Sequence, residues 1–189
     1  KLAVRLTPLN FASSTITDCE ASFLKEEHIK ILKTMNEATN RMDMNMFAQA
    51  VNLSPNQAIA EVQELAKEGF LRKVGNGFGL TEKGRTALRI FTPVSSEMSF
   101  LFYVEIDKPM GFTAHSMEEF YRFIKQVTVD SLEFHLYRGD FENWLKDVCK
   151  DSELAEAFGA LKTEGLKGED LRKALVNAID AKYGIGDLL

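Results

Sequence analysis

The sequence predicts an α+β chain, mostly helical, organised as two units that meet near residue 93. Three observations predict it. Apolar residues recur at helical spacing three times before residue 68, and two short apolar runs then flank Gly75-Asn76-Gly77. An alternating apolar run, SFLFYVEI, begins at residue 99 and gives way to further helical patterns. Charge divides at the same place: residues 26–92 hold nine Lys/Arg against eight Asp/Glu, whereas residues 93–189 hold eleven against eighteen. The formal charge of -5 therefore belongs to the C-terminal half. The expected layout is an N-terminal segment 1–22, a unit 23–92 and an acidic unit 93–189.

The first helical pattern carries Leu24, His28, Ile31, Leu32 and Met35 on one face. A second helix is predicted over 44–52 with Asp43 as its N-cap. Asn52-Leu53 form a tight turn, Ser54 caps a third helix, and Pro55 suits its first position, where no amide donor is needed. In PNQAIAEVQELAKEG the inward residues are Ala58, Val62, Leu65 and Ala66, with Gly69 closing the helix. Phe70 to Val74 read as a strand, Gly75-Asn76-Gly77 as a turn needing positive φ, and Phe78 to Leu80 as the return strand. Thr81 caps a fourth helix with Ala87, Leu88 and Phe91 facing inward.

Three helices, a hairpin and a fourth helix in this order resemble the winged helix-turn-helix of MarR- and ArsR-type transcriptional regulators. Leu53-Ser54-Pro55 at the turn, LAKEGFL at the third helix's exit and Leu80-Thr81-Glu82-Lys83-Gly84-Arg85 after the hairpin carry the resemblance, over about residues 24–92. It implies that the third helix enters the major groove of double-stranded DNA. There Asn56 and Gln57 would pair with adenine edges, while Arg41, Lys67, Arg72 and Lys73 would neutralise phosphates. Arg72 and Lys73 are neighbours in a strand, so one of them is expected to face the groove. Ala60, Glu61 and Glu64 are expected on the same outward face, where the two carboxylates would repel phosphate. The hairpin tip Gly-Asn-Gly carries no cation.

In the second half, PVSSE (93–97) is a polar joint. Phe100, Phe102, Val104 and Ile106 alternate with Leu101 and Tyr103, which predicts a strand buried in part on both faces. Asp107 to Gly111 read as a turn, and Phe112 to Ala114 as a continuing strand. Ser116-Met117-Glu118-Glu119 fits a capping box opening a helix with Phe120, Phe123, Ile124 and Val127 inside. SLEFHLYRGDFENWLKDVC holds His135, Tyr137, Arg138, Asp140 and Trp144. Packing explains it best, with Asp140 capping a helix over 141–149 and Arg138 paired to a carboxylate; catalysis by His135, Arg138 and Asp140 is the weaker reading. Two helices follow, the last with Leu171, Leu175, Val176 and Ile179 inward and Gly184 at its end. From SMEEFYRFIK to GEDLRKALVNAI the pattern resembles an uncharacterised archaeal domain of the KaiC-associated regulator type, which implies no activity residue by residue.

The three histidines have no metal-ligand spacing, and neither a Gly-rich phosphate loop nor a nucleophile motif is present. No metal, cofactor or catalytic residue is expected. Cys19 and Cys149 stand in no CxxC pattern, and the expectation is a reduced, cytoplasmic protein without a structural disulfide. No run approaches the ~20 apolar residues of a membrane helix. The reading is a non-enzymatic DNA-binding regulator whose acidic C-terminal unit dimerises, binds a protein partner or senses a signal. A homodimer is expected through the first helix and the C-terminal helices, exposing Phe23 and Leu188. The rival is a protein–protein adaptor whose winged helix never meets DNA.

Overall fold

A computed structural model describes residues 24–38 and 43–188 of the chain. Cys19, Phe23 and Arg41 lie outside them. The described chain is α+β, with helices throughout and two separate two-stranded antiparallel sheets among the described residues.

Helix α1 (Glu26–Glu37) buries His28, Ile31 and Leu32. Helix α2 (Met44–Val51) starts where the Asp43 carboxylate accepts the Met46 N–H at 2.9 Å, and it stops at Asn52, whose φ of 60° breaks the helical path. Helix α3 (Pro55–Lys67) opens with a reciprocal box: the Gln57 N–H donates to Ser54 Oγ, and the Ser54 N–H donates to Gln57 Oε1 at 3.1 Å. Two orphan donors of the first turn are thereby satisfied. At the other end Gly69 takes φ 82°, and the Phe70 N–H returns to Leu65 O at 2.9 Å.

Strands β1 (Leu71–Val74) and β2 (Gly77–Leu80) pair with Leu71 opposite Leu80 and Val74 opposite Gly77. The turn is thus two residues, Gly75-Asn76, and only Gly75 of the expected tripeptide has positive φ, at 58°. Gly77 joins the strand because a two-residue hairpin places the demand for positive φ on its first central position when Gly stands there. Helix α4 (Glu82–Phe91) is capped by Thr81, whose Oγ1 accepts the Gly84 N–H at 3.1 Å and donates to Gly69 O at 2.6 Å. One hydroxyl therefore fastens the end of α3 to the start of α4.

Strand β3 (Phe100–Glu105) pairs with β4 (Lys108–Ala114). The expected turn over 107–111 is shorter, at Ile106-Asp107, and β4 runs through Pro109. A two-stranded sheet tolerates Pro on a strand edge, and Gly111, at φ 77°, absorbs the irregular register. Ile106 leaves the buried face in consequence and is 70% exposed at the hairpin tip.

Helix α5 (Met117–Ile124) has Ser116 as cap, but Glu119 reaches the His115 N–H at 2.7 Å rather than that of Ser116. Gly139, at φ 82°, separates α6 (Val129–Arg138) from α7 (Asp140–Asp147). Helices α8 (Ser152–Glu164) and α9 (Gly168–Tyr183) close the fold, the latter ending at Gly184. Phe102, Phe120, Phe141 and Phe158 are fully buried where these helices meet β3. The Asp151 carboxylate, itself buried, caps α8 by accepting the Leu154 N–H at 3.0 Å and also takes bonds from Lys182 and Tyr183 of α9. Burial opposes its ionisation, yet the three donors outweigh burial and hold it below the usual carboxylate range.

The halves meet where helix α4 packs on α5. Within the second half, the Val94 N–H donates to His115 O at 2.7 Å and the Trp144 indole to Met98 O at 2.7 Å. Leu188, expected at an exposed interface, is 5% exposed and belongs to the core. No described helix is long and apolar enough to cross a membrane.

Candidate nucleic-acid interface

An α-helix turns about 100° per residue, which assigns each α3 side chain a direction. Ala58, Val62 and Leu65 define the buried stripe. Asn56, Ala60, Gln63 and Lys67 lie almost opposite it, with Ile59 beside them, and all five are exposed. This outward stripe is neutral for most of its length and ends in a cation. It contains no carboxylate.

Glu61 and Glu64 lie elsewhere, on the flank turned toward α1. The expectation that they share the outward face is therefore corrected. Glu61 Oε2 is 2.7 Å from His28 Nε2, and the Lys25 ammonium donates to Glu64 Oε2 at 3.1 Å. That hydrogen bond, followed by the Lys25 charge, holds Glu64 below its ordinary value despite partial burial. Lys25 and His28 hold the two carboxylates on the α1 side, and the single Lys25 charge offsets part of their negative charge. Glu61 follows from the helical angle alone, since it sits only about 60° from Ala58. The pairing to α1 needed the tertiary structure.

The predicted contact residues fare unequally. Asn56 is exposed, with its amide free of protein partners among the described residues. Gln57 is also exposed, but its Oε1 accepts from both the Ser54 N–H and, at 2.7 Å, the Ser54 hydroxyl. Adenine recognition needs amide oxygen and nitrogen together, so Gln57 in this conformation cannot supply the bidentate pair assigned to it. Lys67 ends the outward stripe. Arg72 and Lys73 point to opposite faces of β1, as neighbours in a strand must, and yet both are exposed, because the distal hairpin has no layer covering either face. Arg72 stands opposite Gly79 and Lys73 opposite Phe78. The glycine partner leaves the Arg72 side open. Ile59 and Gln63 were missed by sequence reasoning, although both fall on the outward stripe by angle. The Lys83 ammonium, just after the hairpin, lies 4.4 Å from the Phe70 ring centroid and donates to Glu68 O at 3.1 Å.

His28, Glu61 and Glu64 bring one nitrogen and two oxygens within 4.8 Å of one another, a grouping that histidine spacing in the sequence did not indicate. The Lys25 ammonium already supplies a cation there, 3.7 Å from Glu61 and 3.1 Å from Glu64.

The second cluster surrounds His135. A groove of about 330 Å³ runs between β3 and α6, lined among others by Leu101, Tyr103, Phe134, His135 and Arg138. His135 Nε2 accepts the Tyr103 N–H at 2.8 Å, and Nδ1 lies 2.8 Å from Asp140 Oδ2. An Nε2 that accepts requires the proton on Nδ1, so the ring is a neutral donor to Asp140. Burial lowers its pKa and outweighs the pull of Asp140. Both nitrogens are spent, which leaves the imidazole no free position to act as a base. Asp140 does not cap α7 as expected; Gly139 stands at the N-cap, and Asp140 accepts from His135 and, at 3.3 Å, from Arg138 Nε. A helix start that follows directly on another helix brings Asp140 beside the preceding turn's His and Arg. Cys149, free and half-buried, has its thiol pushed up to about 12 by burial and by the nearby Asp151 charge.

No protein-family model, curated protein or solved structure matches this chain.

Proposed function

We propose that residues 24–92 form a winged helix-turn-helix that binds double-stranded DNA, and that the chain is a non-enzymatic transcriptional regulator. The observation that carries this proposal is the outward face of α3 together with the hairpin. Asn56, Ile59, Ala60 and Gln63 form a neutral surface suited to base edges, Lys67, Arg72 and Lys73 surround it with exposed cations, and Glu61 and Glu64 are withdrawn toward α1. Phosphate neutralisation supplies affinity and the neutral stripe supplies discrimination. Asn56 is the adenine reader in this scheme, and the Ile59 side chain, 38% exposed, meets a thymine methyl. The acidic half does not enter the groove; it assembles the protein or receives its signal.

The test is a titration of a mixed pool of short duplexes, with sequencing of the bound fraction. Asn56→Ala relaxes preference at one base pair by about 1–3 kcal/mol while leaving bulk affinity nearly intact. A protein–protein adaptor is the second reading, favoured by the apolar hairpin tip, where Val74 is 52% and Phe78 39% exposed. It takes over when no duplex in the pool is retained.

A further inference from the structure

His28 is the odd member of the core around α1. It shares the buried stripe with Ile31 and Leu32 and is 2% exposed, yet its Nδ1 has no hydrogen-bond partner among the described residues. A leucine there would serve packing without burying an unpaired nitrogen. The polar engagement of the ring is made by Nε2, which faces two carboxylates of α3 at once, Glu61 Oε2 at 2.7 Å and Glu64 Oε2 at 3.7 Å.

Charge at this point does not balance. Among the described residues, Lys25 alone brings an ammonium to the pair, 3.7 Å from Glu61 and 3.1 Å from Glu64, on a half-exposed side chain. Two carboxylates against one ammonium leave a negative charge over. The three possible ligand atoms lie within 4.8 Å of one another. Bonds of about 2.0–2.2 Å to a tetrahedral zinc ion separate neighbouring ligand atoms by about 3.4 Å. The two distances to the imidazole bracket that value. A central ion therefore needs Glu61 to draw back and Glu64 to close in, each by less than about 1 Å. Glu61 and Glu64 are neighbours three residues apart on one helix, and His28 comes from the helix packed against it.

We infer that His28 Nε2, Glu61 and Glu64 form a binding site for a divalent transition-metal ion of the zinc type, which ties α1 to α3 and keeps water in its fourth position. One imidazole with two carboxylates suits such an ion, whereas Mg2+ favours oxygen ligands alone. Lys25 is a tethered competitor: its ammonium holds the cation position in the metal-free protein and turns out to solvent when the ion enters. With the Glu61 carboxylate as acceptor, the imidazole proton lies on Nε2. Metal binding moves it to Nδ1 by exchange with solvent, so the neutral ring presents a lone pair to the ion and releases no net proton. Nδ1–H then meets no acceptor among the described residues. Lacking that outer support, the site is about 10–100-fold weaker than one that has it, which sets its affinity in the micromolar range.

Calorimetric titration of the chelator-stripped full chain with Zn2+ at neutral pH tests this without DNA. Wild type should bind with micromolar affinity, and Glu64→Gln should weaken binding by about tenfold or more. Lys25→Ala should tighten it by about two- to fivefold, the strength of the exposed ion pair that the metal otherwise has to break. Excess Mg2+ should not displace the ion. Both side chains are about half-exposed, so neither substitution disturbs the core, and circular dichroism melting establishes that each variant is folded. Zn2+ should raise the Tm of wild type and leave that of Glu64→Gln unchanged. Zinc held adventitiously, by His115 or a cysteine, would be indifferent to both substitutions, and that result would overturn the inference. So would an absence of binding at about 100 μM free ion, or a Lys25→Ala chain that binds no more tightly than wild type.

Discussion

Gly84 sits in the first turn of α4, where helix propensity alone says that alanine should stabilise. The structure predicts the reverse. A Cβ built on Gly84 lies 2.2 Å from the Phe70 carbonyl oxygen, a backbone atom that cannot swing aside. Ordinary C···O contact begins at about 3.3 Å, so that carbonyl must retreat by about 1 Å. The same oxygen accepts the Thr81 N–H at 3.0 Å, and that bond would stretch beyond hydrogen-bond range, while the one proton of the Thr81 hydroxyl goes to Gly69 O. One lost bond costs about 0.5–1.5 kcal/mol, and the crowding itself about 1–3. Helix propensity returns about 1 kcal/mol. The net expectation for Gly84→Ala is a loss of about 0.5–3.5 kcal/mol, or roughly 1–14 °C in Tm for a chain of this size. Gly159→Ala is the control, since it lies in α8 with no positive φ and its Cβ would meet nothing nearer than Glu142 Oε1 at 3.7 Å. It should be neutral or stabilising by up to about 1 kcal/mol. Urea denaturation followed by circular dichroism measures both. A Gly84→Ala variant as stable as wild type would refute the close approach of α4 to the strand.

Glu61→Gln should cost about 1 kcal/mol of stability by weakening the bond to buried His28, yet leave duplex affinity unchanged, because the carboxylate faces α1. A gain in affinity would place it beside phosphate instead. Asp151→Asn should destabilise by about 1–3 kcal/mol at neutral pH. The folded-state value of Asp151 is depressed, so its contribution is complete above the unfolded value of about 3.9 and disappears as pH falls through the folded one. The gap between variant and wild type should accordingly close in acid, and a gap independent of pH would contradict the assignment. Cys149, with its thiol at about 12, should resist iodoacetamide at pH 8 in the native protein and react once unfolded, as read by mass spectrometry of its peptide. Equal rates in both states would place the thiol at the surface.

Much of the fold is legible in local chemistry. Asp43, Ser54 and Thr81 act as caps because a short side-chain oxygen before a helix satisfies donors that no other residue type reaches as well. Gly69, Gly139 and Gly184 end helices at positive φ for equally local reasons. What the sequence conceals is set by contacts between distant segments. The alternation of SFLFYVEI places Ile106 inside, and only the two-residue turn to Lys108 carries it out. Asp140 looks like a cap until α6 brings His135 to it. The withdrawal of Glu61 and Glu64 toward Lys25 and His28 is of the same kind, and it alters the reading of α3 most. The outward stripe of α3 itself is neutral and ends in Lys67, because Glu61 and Glu64 are drawn to its α1 flank.

The DNA proposal rests on phosphate contacts by Lys67 and by whichever of Arg72 and Lys73 faces the groove, and the salt dependence of duplex binding tests them most directly. Each contact contributes about -0.9 to the slope of log Kobs against log salt, so Lys67 with one of Arg72 and Lys73 gives about -2 for one protomer and about -4 for a dimer. Fluorescence anisotropy of a labelled duplex, titrated from low to moderate ionic strength, measures the slope for wild type and for Arg72→Ala with Lys73→Ala. The wild-type slope should become shallower by about one for each protomer bound in the double variant. A slope that the double variant leaves unchanged, or no salt-sensitive binding even at low ionic strength, would contradict it.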